Sequence, residues 1–81
     1  MRVTVRLFAR LRELVGAGEL HRDVSDDATV AEVWLSLARD YPAIAPYAES
    51  ISCAVNAEYA RMTSPVAAGD EIAFLPPVSG G

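Results

Sequence analysis

The sequence predicts an α+β fold, a mixed sheet with one main helix packed on one face, and three features predict it. Short segments in which apolar and polar residues alternate recur from the first residues to the last, the pattern of half-buried strands. Between Thr29 and Tyr41 the apolar residues fall at helical spacing instead. The last alternating segment runs into Pro76-Pro77 and then Val78-Ser79-Gly80-Gly81, so the chain leaves the sheet as an arm.

Met1 to Phe8 sets Val3, Val5 and Leu7 against Arg2, Thr4 and Arg6, which is a strand with one face in the core. Phe8 is out of phase, apolar on the face that should meet water. It either packs against the loop that follows or belongs to a partner surface. Phe8, Leu11, Leu14 and Val15 then recur as a short turn of helix that Gly16-Ala17-Gly18 breaks. Leu20 and Val24 begin a second strand with Glu19, His21 and Asp23 opposite, and Arg22 on its inward face marks it as an edge.

Thr29-Val30-Ala31-Glu32 fits a capping box, with Thr29 as N-cap and Glu32 three residues on. The stripe Val30, Val33, Trp34, Leu37, Ala38 and Tyr41 is one face of an amphipathic helix, which Tyr41-Pro42 stops. Pro42 to Ser50 reads as an irregular wrapped connection. Ile51, Cys53 and Val55 alternate with Ser52, Ala54 and Asn56 as a third strand; Asn56-Ala57-Glu58 turns into a short fourth around Tyr59 to Arg61. After the Thr63-Ser64-Pro65 loop, Val66 is the expected core anchor, and Gly69-Asp70 turns into the last strand, where Ile72 and Phe74 alternate with Glu71, Ala73 and Leu75.

If the first and last strands lie parallel in the middle, Phe8 and Leu75 sit at the same ends of neighbouring strands. With Tyr59 they would form an apolar patch on the open sheet face, at the root of the arm. Prolines at 76 and 77 end the ladder and keep the chain extended. Six residues from Pro76 to Gly81 at ~3.1–3.4 Å each reach roughly 20 Å from the body. Gly80 and Gly81 lack Cβ atoms, so the arm can thread a channel that larger residues would block. Its one reactive group is the Gly81 carboxylate, ionised at neutral pH and a poor electrophile until an enzyme converts its oxygen to a leaving group.

Composition removes several classes of function. Eighty-one residues allow one domain, read as residues 1–75 with an arm at 76–81, and 52% hydrophobic content supports a core rather than disorder. No run approaches the ~20 apolar residues of a membrane span. Arg2, Arg6, Arg10 and Arg12 interrupt any signal-peptide core, so the chain reads as cytoplasmic. A net charge of −4 with scattered arginines argues against a nucleic-acid partner. One cysteine, Cys53, and one histidine, His21, exclude an internal disulfide and offer no zinc constellation; each reads as structural, Cys53 in the core and His21 solvated on the edge strand. All seven basic side chains are arginine, so an activated Gly81 finds no lysine on its own chain.

Leu7-Phe8-Ala9, Arg12-Glu13-Leu14-Val15-Gly16, Ala54-Val55-Asn56 and the run Gly69 to Gly81 together resemble the small subunit of molybdopterin synthase, a sulfur carrier of the ubiquitin-like β-grasp fold. The resemblance implies that an E1-like adenylyltransferase uses ATP to adenylate the Gly81 carboxylate, and that a sulfur donor system converts it to a thiocarboxylate, a C-terminal 1-thioglycine. The arm then enters the large subunit of molybdopterin synthase, which carries the catalytic residues. There sulfur passes to cyclic pyranopterin monophosphate to build the dithiolene of molybdopterin. The carrier itself binds no cofactor and has no Gly-rich phosphate loop. By position, Gly81 is the reacting terminus, Gly80 threads the channel, and Phe8, Tyr59 and Leu75, with Pro76 and Pro77, meet the partner; Tyr59 and Leu75 depart in type from the leucine and phenylalanine expected there. A dimeric large subunit implies a heterotetramer. A carrier for thiamin thiazole synthesis, a ubiquitin-like binding module with an inert tail, and a protein modifier attached to lysines are the competing readings.

Overall fold

The computed structural model describes residues 1–77. Its strands are β1 (Arg2–Leu7), β2 (Glu19–Asp23), β3 (Ser52–Val55), β4 (Glu58–Ala60) and β5 (Glu71–Leu75), and its α-helices are α1 (Ala9–Val15) and α2 (Val30–Asp40). The five strands form one mixed sheet in the order β2-β1-β5-β3-β4. β1 and β5 lie parallel at its centre, with Thr4 opposite Glu71 and Leu7 opposite Phe74, while the outer pairs are antiparallel. This is the expected α+β architecture, a β-grasp, with the first and last strands adjacent.

Alternation decides which side of the sheet is dry. Val3, Val5, Leu7, Ile72, Phe74 and Cys53 point inward and are buried. Against them α2 presents Val30, Val33, Trp34 and Leu37, all buried, with the Trp34 and Phe74 rings edge-to-face at 5.0 Å and 64°. Burying each large apolar side chain contributes about 1.5–3 kcal/mol, so this face supplies most of the stability of a small domain.

Local signals fix the elements. Thr29 caps α2, its Oγ1 accepting from the Glu32 N–H at 3.4 Å, and Tyr41 ends it. Gly16, at φ 86°, closes α1 in a left-handed conformation that suits glycine, its N–H donating to Arg12 O. Asn56 and Ala57, at φ 50° and 70°, form the two-residue turn between β3 and β4, the hairpin geometry in which both central residues need positive φ.

One part of the sequence reading changes, and another gains a reason. Residues Pro42–Tyr47, expected to be irregular, form a 3₁₀ helix. Pro42 occupies its first turn, where a missing N–H costs nothing, and Ile44 is fully buried and anchors it. Arg22 does point inward from the edge strand β2, but it is used there. Its guanidinium donates to Ser36 Oγ (2.7 Å), Ser36 O (3.0 Å) and Asp40 Oδ2 (2.6 Å), tying the edge strand to the last turns of α2. Cation contacts at a helix C-terminus are favourable, because unpaired carbonyls gather there.

Candidate functional site

β5 carries the site because it has two unlike faces. Ile72 and Phe74 are completely buried, whereas Glu71, Ala73 and Leu75 lie on the opposite side, where no described element covers the sheet. Cross-strand register then assembles the surface. Ala73 sits between Arg6 on β1 and Ala54 on β3, and Ala54 faces Tyr59 on β4. Phe8 follows β1, and the backbone turns at Ala9 (φ 50°), leaving the Phe8 ring 39% exposed.

Phe8, Leu75, Ala73, Ala54, Ala57 and Tyr59 line one shallow recess on this open face, with Glu71 at its edge. Tyr59 is 86% exposed, and Leu75 is half-buried without joining the core. A second groove lies on the other side of the arm's root, between Phe8, Tyr47, Leu75, Pro76 and Pro77, with Arg10 beside it. The two share Phe8 and Leu75, so the surface is continuous around the point where the chain leaves the sheet. Of the residues singled out from sequence, Phe8, Tyr59, Leu75, Pro76 and Pro77 are thus brought together. Gly80 and Gly81 lie outside the described residues.

The polar surroundings order this surface. Arg6 lies between Glu19 and Glu71, 3.8 Å from each, with its guanidinium carbon 5.8 Å from the centre of the Phe8 ring. Exposed pairs of this kind contribute little energy, but together they hold the cation over the ring face. Asn56 joins the β3–β4 turn to the start of β5: its Nδ2 donates to Asp70 Oδ1 and its Oδ1 accepts from the Glu71 N–H, both at 3.0 Å. That gives the Ala54-Val55-Asn56 segment a structural purpose, fixing Tyr59 relative to Leu75. Arg10 donates to Glu13 at 3.1 Å, and hydrogen bonds to Glu13 and then Tyr47 raise its pKa.

Among the described residues, neither Cys53 nor His21 has the partners of a catalytic group. Cys53 is buried, its Sγ donating to Ala60 O at 3.2 Å, and burial pushes its thiol pKa up, away from the nucleophilic thiolate. His21 is exposed on β2 and its Nδ1 meets Thr4 Oγ1 at 3.2 Å. Among the described residues, no three His, Cys, Asp or Glu side chains are grouped to hold a metal ion, and no helix is long and apolar enough to cross a membrane. The surface can bind a partner's apolar side chains. Its lining by Ala54 and Ala73 was legible as outward positions on predicted strands, and Ala57 lies in the turn predicted between the third and fourth; Tyr47 was not legible, because its segment gave no periodic pattern.

Comparison with known proteins agrees over nearly the whole chain: the model of the ThiS family matches residues 5–81. The chain belongs to the ThiS family. This ThiS-family chain is 37% identical over 84 residues to small archaeal modifier protein 1 of Haloferax volcanii, covering 94% of this chain and 97% of the relative. It is 38% identical over 81 residues to the molybdopterin synthase sulfur carrier subunit of Haemophilus influenzae, covering 98% and 99%. The crystal structure of the Haloferax modifier matches with a TM-score of 0.90 at 35% identity, over 100% of both chains. The ThiS-family chain is therefore a ubiquitin-like carrier or modifier of the β-grasp type.

Structural relatives have been solved with partner subunits. One is the complex of subunits 1 and 2 of the molybdopterin-converting factor of Helicobacter pylori (TM-score 0.68, 22% identity, 100% of both chains). Another is the BexX/CysO complex of Amycolatopsis orientalis (TM-score 0.69, 27% identity, 98% and 99%).

Proposed function

We propose that this ThiS-family chain is the sulfur-carrier subunit of a molybdopterin synthase. The observation that carries the proposal is the continuous apolar surface of Phe8, Leu75, Tyr59, Pro76 and Pro77 at the place where a Gly-Gly-terminated arm departs. A docking surface at the root of a thin arm lets a partner grip the body and receive the terminus in one event. An E1-like adenylyltransferase joins the Gly81 carboxylate to the AMP portion of ATP with release of pyrophosphate. A sulfur donor then attacks the acyl carbon, the C–S bond forms, AMP leaves, and Gly81 becomes a thiocarboxylate. Docked on the large subunit, the thiocarboxylate sulfur attacks an oxygen-bearing carbon of cyclic pyranopterin monophosphate, the C–O bond of that carbon breaks as the C–S bond forms, and water cleaves the acyl–sulfur bond to return the carrier to a carboxylate; a second thiocarboxylated carrier repeats the transfer to complete the dithiolene. ATP serves the activating partner, and catalytic groups belong to the large subunit.

A second reading is favoured by one specific observation, the likeness to small archaeal modifier protein 1 in sequence and in shape. In that reading the same adenylate delivers the Gly81 acyl group to a lysine of another protein. One reconstitution separates the two: the chain, an activating enzyme, ATP, sulfide, the large subunit and cyclic pyranopterin monophosphate. Dithiolene product that disappears when Gly80 and Gly81 are deleted supports the carrier. Amide-linked conjugates without dithiolene support the modifier.

A further inference from the structure

The strongest nucleophiles that could waste an activated Gly81 are the amines and thiol of the carrier itself, and the structure disposes of each. The basic side chains are all arginine, whose guanidinium does not deprotonate near neutral pH, so no side-chain amine exists on this chain or on its copies. The one thiol, Cys53, is 5% exposed and engaged with Ala60 O. That leaves the Met1 amine. It extends the β1–β2 ladder by one rung: the Met1 ammonium donates to Val24 O at 2.6 Å, and the Val24 N–H donates back to Met1 O at 2.8 Å. Asp26 Oδ1 faces the same ammonium at 3.4 Å, and the Met1 side chain is 8% exposed.

Topology adds distance. Because β1 and β5 run parallel, Met1 lies at the end of the sheet opposite the arm. From Met1 to Phe8, level with Leu75, seven residue steps span about 23 Å along the strand. The six residues beyond Leu75 cover at most about 22 Å fully extended, and Pro76-Pro77 start them in the opposite direction.

We infer that this fold keeps its own amine and thiol away from its activated C-terminus, so that the acyl group passes only to a nucleophile brought by another molecule and copies of the chain are not linked to one another. The inference rests on activation of Gly81, as proposed above. The step prevented is attack of a neutral amine on the Gly81 acyl-adenylate, in which a C–N bond forms, AMP leaves and the amine loses a proton to solvent. An amine attacks through its lone pair and needs an open line of approach, which the rung to Val24 and the nearly covered Met1 side chain restrict. The Val24 carbonyl and Asp26 act as positioning groups, and they touch no substrate. The consequence is chemical selectivity: thiocarboxylate formation competes with water and with nucleophiles of other molecules but not with the carrier's own groups, and any conjugate to a target carries a single copy at each site.

The test has two arms on the full chain. In the first, an N-hydroxysuccinimide acetyl ester labels amines, and fragmentation reads Met1 acetylation in buffer and in urea. Acetylation in buffer at least about tenfold slower than in urea is expected, because a ladder-bound group reacts only through opening; equal rates would overturn the inference. Asp26→Ala, which removes the facing carboxylate but leaves the rung, should move the rate only part of the way to that in urea. In the second arm the chain is activated with its adenylyltransferase and ATP, with hydroxylamine added to half of the sample. A Gly81 hydroxamate in that half and no linked dimers in the other are expected. Dimers joined through Met1 would contradict the inference, and the variant Arg61→Lys, which supplies an exposed amine, should form dimers. Absence of the hydroxamate would instead remove the proposed activation, with the labelling result still deciding whether Met1 is shielded.

Discussion

The two faces of β5 are built from the same five residues and do opposite work. Toward α2, Ile72 and Phe74 are fully buried in a closed apolar core. Away from it, Ala73 and Leu75 meet Phe8, Ala54 and Tyr59 on a surface that nothing in the described chain covers. An apolar side chain on the first face holds the domain together, and one on the second, in the function proposed here, meets a partner. One-residue alternation therefore separates stability from recognition, and the comparison can be broken by substitutions one position apart.

The largest expected effect is on the inner face. Phe74→Ala removes the ring that meets Trp34 and should cost about 3–5 kcal/mol of unfolding free energy, measured by denaturant titration. Small domains have only about 5–15 kcal/mol in total, so this variant should be partly unfolded at moderate temperature. On the outer face, Leu75→Arg should change unfolding free energy by less than about 1 kcal/mol. It should weaken binding to the arm-accepting subunit by about 2 kcal/mol or more, roughly thirtyfold in Kd by calorimetry. A comparable loss of stability would place Leu75 in the core and dissolve the distinction. Tyr59→Ala, at the margin of the patch on the edge strand β4, should weaken the same binding by about 1 kcal/mol, with the melting temperature unchanged.

The smallest effect concerns the turn that places Tyr59. Ala57 holds φ 70°, a conformation that costs an alanine about 1–2 kcal/mol. Glycine adopts it freely but loses more backbone freedom on folding. Ala57→Gly should therefore stabilise by about 0.5–1 kcal/mol, a few degrees in Tm, with partner binding unchanged.

How much could be read in advance follows from the same physics. Alternation in β1, β3 and β5 and the Thr29 cap were unambiguous because one period and one burial face agreed in each. The adjacency of Phe8 and Leu75 followed from placing β1 and β5 parallel at the centre. The 3₁₀ helix Pro42–Tyr47 was hidden because two prolines in six residues signal a break, and a single buried anchor, Ile44, leaves no period. Tyr47, and with it the second groove, was hidden for that reason. Arg22 marked β2 as an edge strand, but its partners Ser36 and Asp40 are distant in sequence and only the fold brings them to it. The Met1 rung likewise depended on the register between β1 and β2, which alternation alone does not specify.

The central claim is that the arm ends in a group that carries sulfur. The most direct measurement is the mass of the C-terminal fragment of the untagged chain, matured with its activating enzyme, ATP and a sulfur donor and then fragmented to locate any change. The account predicts replacement of one oxygen by sulfur at Gly81, distinguished by position from oxidation of Met1 or Met62. An unmodified Gly81 carboxylate, in a reaction where the same enzyme and donor demonstrably thiolate another carrier, would contradict it.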